Sequence, residues 1–361
     1  MQVAIDAREL SGHPTGVGRY LSELLTEWHA VGIDRRHTLT LYAHRAPTML
    51  PSGLEARVHV LPGRGGTRWE QWDLSRALGR HRPDVIFSPG YSSPLLAPAP
   101  TVVAIHDVSF FAHPEWFSWR EGPRRRQITA WSARRARLVL APSAFSGAEI
   151  VRHTAVDAAR VRIVPLGVRA QERPASGARR PVVLFVGSLF QRRRLDVLID
   201  AFAAVAATHP AAQLEIVGAN RTTPPVDFAA ALAARGLAGR ARLRDWVDDR
   251  TLDSLYREAS VFVFLSRYEG FGFTPLEALA HGVVPIVLDT AVSREIYGDA
   301  ACRVPEDAAL TTHVAAAIRT LLDDPAARAP FIAAAAPVLA SYQWRDTAAR
   351  TLACLEEAAG A

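Results

Sequence analysis

The sequence predicts an α/β protein of two doubly wound units, each a parallel sheet covered by helices. Three observations carry this expectation. Short β-branched runs alternate with amphipathic stretches along the whole chain, the pattern of parallel strands joined by helical crossovers. At 361 residues the chain is long enough for two separate cores. The alternation also breaks once, over 169–180, a polar stretch with Pro174 and Gly177 and no apolar periodicity, which reads as a linker.

The elements follow in order. The apolar runs 3–6, 38–43, 58–61, 85–88, 102–106, 138–142 and 161–164 read as strands of a first domain, with helices over 18–28 and 70–80 among them. Ser143 and Ser146, in Pro-Ser-Ala-Phe-Ser, read as the cap of a further helix. After the linker, strands are expected at 182–187, 213–217, 241–243, 261–265 and 284–287, with helices over 196–207, 226–235, 252–259 and 274–281. A last helix, 344–357, lies beyond the second sheet. The domains are expected at 1–168 and 182–342, with 169–181 as linker and 343–361 as a terminal segment. Open α/β sheets bind ligands at the carboxyl ends of their strands, and the glycine loops follow strands, so the two sheets are expected to face a central cleft.

Composition excludes several classes. No run approaches the ~20 apolar residues that span a bilayer, and Met1-Gln2 leads into a strand without a basic leader. Cys302 and Cys354 are the only cysteines, which fits a reducing cytoplasm better than a disulfide framework. No H-x-E, C-x-x-C or D-x-D cluster with ligand spacing stands out, so no metal is expected. The chain has no lysine; its net charge of +6 rests on arginine. Seven arginines against the single acid Glu121 lie between Trp119 and Arg137, among them Arg120, Arg124, Arg125 and Arg126, with Trp116, Phe117 and Trp131 interleaved. Such a segment suits anionic lipid headgroups or nucleic-acid phosphates, and equally a solvated helix face.

The most informative stretch is Arg-Tyr-Glu-Gly-Phe-Gly-Phe-Thr-Pro-Leu-Glu, 267–277. Glu269 and Glu277 bracket a turn, Gly270-Phe271-Gly272, that runs through Phe273 into a helix. A glycine turn lets backbone approach a ligand, and a helix N-terminus offers unpaired N–H groups, so together they form a seat for phosphate. The flanking acids suit hydroxyl groups instead. Diphosphate plus hydroxyls describes a sugar nucleotide. Spacing leaves a second reading of Glu277, as the N3 member of a capping box with Thr274 as N-cap and Pro275 at N1.

The spacing E-x7-E around Glu-Gly-Phe-Gly, with segments 5–20, 102–117, 184–202 and 255–272 in order, resembles the retaining glycosyltransferase family 4, whose members have the GT-B fold. The His-Pro-Glu-Trp-Phe block at 113–117 is most similar to bacterial mannosyltransferases of surface-polysaccharide and O-antigen assembly. The resemblance implies two Rossmann-like domains, donor on the second and acceptor on the first, with the last helix crossing back to the first. It implies that Glu269 contacts the donor sugar, that Glu277 binds the ribose hydroxyls, and that N–H groups at Gly272 and Phe273 meet sugar or phosphate oxygens. Gly187 opens a strand–loop whose Arg192 fits the family's Arg-Lys pair directly. Arg193 stands where Lys is usual, and Arg194 where Asn is frequent. His106 would contact the sugar, commonly through its 6-hydroxyl, and the loop of Gly16 and Gly18 would lie near donor phosphate and acceptor. Read from residues alone, His106 and the Gly16–Gly18 turn remain open to plain structural roles. Val247, after Trp246, falls where relatives hold the base through backbone atoms.

The implied reaction is metal-independent hexose transfer with retention, without a cofactor beyond the nucleotide-sugar substrate. GDP-mannose is the first expectation for the donor and a UDP-hexose the second. The acceptor would be a growing glycan, free or lipid-linked. The enzyme is expected in the cytoplasm, in peripheral contact with an anionic inner membrane face through the basic segment, and without nucleic acid. A sugar-nucleotide epimerase or hydrolase of GT-B fold, or a non-catalytic binding module, are the alternatives; the first would release nucleotide without acceptor.

Overall fold

The computed structural model describes residues 1–12, 15–169 and 179–360. Most of the linker expected over 169–181, residues 170–178, lies outside the described residues. The chain divides into two compact units. Unit 1 comprises Met1–Pro114, Trp119–Gly167 and Tyr342–Ala361; unit 2 comprises Glu115–Ser118 and Val168–Ser341.

Unit 1 holds a seven-stranded sheet, β1 (Gln2–Asp6), β2 (Thr38–Ala43), β3 (Ala56–Val60), β4 (Val85–Ser88), β5 (Thr101–Ala104), β6 (Leu138–Ala141) and β7 (Val161–Ile163). The order is β3-β2-β1-β4-β5-β6-β7, and every pairing is parallel. β4, β5 and β6 are buried along their whole lengths, as strands covered on both faces must be, which is why they read as unbroken apolar runs. The helix Gly16–Ala30 packs on the last helix, Trp344–Ala359, and the buried Trp28 Nε1 donates to the Ala348 carbonyl at 3.0 Å. Thr347 Oγ1 donates to the Pro165 carbonyl at 2.7 Å, and Tyr20 packs against Trp344. The last helix is thus built into unit 1.

Unit 2 holds a six-stranded sheet, β8 (Val182–Val186), β9 (Gln213–Val217), β10 (Ala241–Arg244), β11 (Val261–Phe264), β12 (Val284–Leu288) and β13 (Cys302–Val304). Its order is β10-β9-β8-β11-β12-β13, again all parallel. In both sheets the order reverses once, between β1 and β4 and between β8 and β11. Connections leave such neighbouring strands in opposite directions, so a crevice opens above their carboxyl ends.

Several elements differ from expectation. β3 begins at Ala56, two residues before the expected start. The helix expected over 70–80 begins earlier, with an α turn Gly66–Arg68, and passes through a π turn, Trp69–Leu74, before resuming as α-helix over Ser75–His81. β13 and the helices Ala291–Tyr297, Leu310–Asp323 and Pro325–Ala340 were not foreseen. Pro330 and Pro337 inside the last of these, and its run of alanines, leave no amphipathic stripe to read.

Gly167 makes the seating of the last helix testable. A Cβ at this position would lie 2.3 Å from the backbone nitrogen of Trp344, which cannot swing aside as a side chain could. Gly167→Ala is expected to lower the unfolding free energy by about 1–3 kcal/mol in denaturant titration. Gly79→Ala, where an added Cβ meets nothing within 4 Å, should be neutral or slightly stabilising. Equal stability of the two variants would contradict this packing.

Candidate active site

Unit 2 gathers its candidate site residues at the switch between β8 and β11. The loop after β8 carries Gly187 to Arg194, and the loop after β11 carries Ser266 to Gly272. The Arg267 N–H donates to the Arg192 carbonyl at 2.9 Å and stitches the two loops together. Arg193 Nε donates to Glu269 Oε1 at 3.0 Å, and its Nη1 to the Ser188 carbonyl at 2.9 Å. Ser266 Oγ donates to the same Glu269 oxygen at 2.9 Å. The Arg193 guanidinium also lies over the Phe264 ring, 4.9 Å from its centroid. Gly187 makes that fold possible, since a Cβ there would sit 2.5 Å from Arg193 Nη1 and its φ is +139°.

Arg192 is arranged differently. Its guanidinium stacks on Phe190, 4.2 Å from the ring centroid, and makes no hydrogen bond to any described residue. Its Nε is buried without a partner. A buried donor left unmade costs about 1–3 kcal/mol, and nothing among the described residues offsets that cost at Arg192. Arg194 adopts a left-handed conformation, φ +47°, which suits the Asn frequent at this position in the family. Here the arginine is tied instead to Glu306 at 3.1 Å.

The glycine turn is held from below. Gly272 has φ +87° and serves as N-cap of the helix Phe273–Ala280. A Cβ at Gly272 would come within 2.0 Å of the Tyr297 hydroxyl, which donates to the Gly272 carbonyl at 3.0 Å. Because the helix starts one residue early, Thr274 is not an N-cap and the capping-box reading of Glu277 fails. Glu277 is buried and accepts from the Tyr256 hydroxyl at 2.9 Å. The Thr274 Oγ1 is buried without a partner, a second orphan beside the phosphate-binding type of turn. Gly270 and Phe271 are buried, Phe273 is half-buried against Phe271, and Val247 is half-buried on the loop after β10 beside an exposed Trp246.

Unit 1 gathers a second set at the β1/β4 switch. His106 is half-buried after β5, with Nε2 donating to the Pro89 carbonyl at 2.7 Å and Tyr20 edge-on at 4.9 Å. Burial pushes its pKa below the usual histidine value, which favours a neutral ring at pH 7. Gly18 packs against the Glu9 carbonyl, where a Cβ would stand at 2.3 Å, and its N–H caps on Thr15; Gly16 faces open space. Sequence reasoning passed over Asp6, Arg8 and Glu70. Arg8 bonds Asp6 at 2.6 Å and also Glu70, and Ser92 Oγ lies 2.8 and 2.9 Å from the two Glu70 oxygens. Tyr256 and Tyr297 were likewise missed, since a hydroxyl that supports a loop from another element leaves no local pattern; Thr274 was read only as a helix cap.

The basic segment forms the helix Glu121–Arg135. Trp119 is exposed with Arg120 stacked on it at 4.6 Å, and Arg124 is exposed. Arg125 and Arg126 turn inward, the first over Phe110 at 5.5 Å, the second donating to the Phe110 carbonyl at 3.1 Å. Among the described residues no group of three or more His, Cys, Asp or Glu could hold a metal ion.

Comparisons with known proteins identify the family and the fold. Residues 168–337 match the family model described as glycosyl transferases group 1, and residues 14–172 match the glycosyltransferase family 4 model. A glycogen synthase of Mycobacterium tuberculosis is 30% identical over 80% of this chain and 71% of its own. A Xanthomonas campestris GDP-mannose:cellobiosyl-diphosphopolyprenol alpha-mannosyltransferase is 29% identical over 53% of this chain, which spans half the length of that relative. Among solved structures, sucrose-phosphate synthase of Thermosynechococcus elongatus superposes with a TM-score of 0.77 at 18% identity, covering 99% and 98% of the two chains. Anabaena HepE, solved with UDP and glucose, gives 0.75 at 19%, covering 99% and 100%. With its two parallel sheets of GT-B architecture, this chain belongs to glycosyltransferase family 4.

Proposed function

We propose that the protein transfers a hexose, with retention of anomeric configuration, from a nucleoside-diphosphate sugar to a hydroxyl of a growing, lipid-linked glycan. The observation that carries this reading is the Arg192 guanidinium at the switch point of unit 2, which makes no hydrogen bond to any described residue and whose Nε is buried without a partner among them. A departing diphosphate suits this side chain, because two negative oxygens match the guanidinium fork. Arg193 has Nη2 left for the same group after its bonds to Glu269 and Ser188. The N–H groups at Gly272 and Phe273 and the Thr274 hydroxyl complete the seat. Glu269 takes the sugar hydroxyls, Glu277 the ribose, and Val247 the base through its backbone. In this mechanism the leaving phosphate oxygen accepts the acceptor's proton on the face it departs from, while the arginines meet the developing charge and no bound metal is required.

GDP-mannose is the preferred donor. The support is that relatives include the Xanthomonas enzyme named for GDP-mannose and a diphosphopolyprenol acceptor, and an O-antigen chain mannosyltransferase of Escherichia coli, 30% identical over 62% of this chain. A UDP-hexose is the second choice, favoured by the likeness to HepE with UDP.

Arg192→Ala and Glu269→Ala are each expected to reduce kcat for transfer by ~100-fold or more, with an α product from an α-linked donor in the wild type by NMR. Wild-type turnover in both variants, or an inverted anomer, would overturn the assignments. Thr274→Val removes an orphan hydroxyl at nearly constant shape. It should leave thermal stability unchanged or raised while weakening nucleoside-diphosphate binding by about tenfold in calorimetry; unchanged affinity would take Thr274 out of the seat. In a thermal-shift screen, GDP should raise the melting temperature more than UDP or ADP, since selective binding stabilises the native state. A shift with ADP alone would reject both donor choices.

A further inference from the structure

Glu277 is gripped at two points. The residue is 7% exposed, and its Oε2 accepts from the Tyr256 hydroxyl at 2.9 Å. Its main-chain carbonyl accepts from His281 Nδ1 at 2.7 Å. The two grips are joined to each other, because the Tyr256 and His281 rings stack with centroids 4.9 Å apart and planes 20° from parallel. His281 Nε2 in turn lies 3.0 Å from Asp253 Oδ1, and Asp253 also accepts from Arg257 Nε at 2.6 Å. Tyr256 is 2% exposed and packs on Phe262, with centroids 5.9 Å apart, so its ring has one position. Asp253, Tyr256 and Arg257 all lie on the helix Asp249–Glu258, which begins directly after the loop of Trp246 and Val247.

This bond does more than satisfy the tyrosine. A buried tyrosine hydroxyl needs an acceptor, but the Thr274 carbonyl stands 3.5 Å from this one and could serve. The shorter bond goes to a carboxylate instead. A carboxylate accepts through two oxygens with about four lone-pair sites, so one donor at Oε2 does not exhaust it. That donor does fix the plane of the group, and with it the directions from which further donors must approach. A buried acceptor held in this way discriminates strongly, since an analogue lacking the matching hydroxyl leaves lone pairs unpaired away from water. A carboxylate free to turn would lose much of that discrimination.

We propose that Tyr256 is a positioning residue for nucleoside recognition: by fixing the Glu277 carboxylate against His281 and Asp253, it sets the selectivity of unit 2 for a ribose over a deoxyribose nucleoside diphosphate. The inference rests on the reading of Glu277 as the acid that takes the ribose hydroxyls. It adds that this acid does not act alone, and that one helix supports both the ribose acid and the loop assigned to the base.

The test is calorimetric titration of the full chain with GDP, or with UDP if GDP gives no heat, each against its dideoxyribose counterpart. The wild type should bind the ribose form more tightly by about tenfold or more. Tyr256→Phe keeps the ring and its stacking on His281. It should weaken binding of the ribose form by about tenfold and of the dideoxy form by less than about twofold, so that the preference collapses. Glu277→Gln separates the two readings, and it should also abolish the preference. A wild-type preference retained in Glu277→Gln, or none in the wild type, would end the ribose reading of Glu277 and this proposal with it. Loss of the preference in Glu277→Gln but not in Tyr256→Phe would leave the ribose reading standing and overturn the proposal. Equal weakening of both ligands by Tyr256→Phe would overturn it too, as the mark of a purely structural bond. Should Tyr256→Phe not fold, a crystal structure of the wild type with the same diphosphate decides. Support is a Tyr256 hydroxyl about 3 Å from Glu277 Oε2 with the ribose on the same carboxylate. The hydroxyl turned to the Thr274 carbonyl, or the ribose held elsewhere, would refute it.

Discussion

The ion pair between Glu269 and Arg193 ties together the loops after β8 and β11 in unit 2. Two arginines stand next to each other in the loop after β8, and chemistry alone does not separate them. The carboxylate at 3.0 Å, the Ser188 carbonyl and the Phe264 ring draw Arg193 back along the loop. Arg192 is left stacked on Phe190 with its hydrogen-bonding capacity unspent. The pairing needs a residue without a side chain at position 187, and it needs Ser266 to fix the carboxylate from the other side. With them in place, one arginine is held by protein and the other makes no hydrogen bond to a described residue.

The same logic of support from another element recurs around the glycine turn. Gly272 takes a left-handed conformation that opens the helix Phe273–Ala280 one residue before the Thr-Pro pair, and the Tyr297 hydroxyl fills the space its missing Cβ leaves. Tyr256 reaches from the helix Asp249–Glu258 to hold Glu277. At the β1/β4 switch of unit 1, Arg8 lies between the buried carboxylates of Asp6 and Glu70. Burial pushes the Glu70 carboxyl above the usual range and the neighbouring arginine opposes it, so a charged network is kept where β1 ends rather than in the apolar centre of the sheet.

Much of this was legible in the sequence, for physical reasons that differ by element. Strands buried on both faces, such as Val85–Ser88 and Val261–Phe264, announce themselves as apolar runs, and the glycine turns mark where loops approach ligands. β13 is three residues long, with half-buried Cys302 and Arg303, and gives too short a signal to see. The capping box at Thr274 was a sound local reading that lost to tertiary context, because a glycine with positive φ begins the helix earlier. Cross-element partners such as Tyr256 and Tyr297, more than 20 residues from the atoms they hold, leave no trace in spacing. The arginine pair was visible as charge, but which arginine the protein itself occupies depended on the fold.

The central claim is that Arg192, not yet bonded to protein, is the cation that receives the diphosphate. A crystal structure of the complex with a nucleoside diphosphate tests it most directly. The account predicts a phosphate oxygen about 3 Å from Arg192 Nε, with the turn at Gly272 and Phe273 on the other side of the same group. A diphosphate bound in unit 2 with the Arg192 guanidinium still stacked on Phe190 and untouched would contradict it.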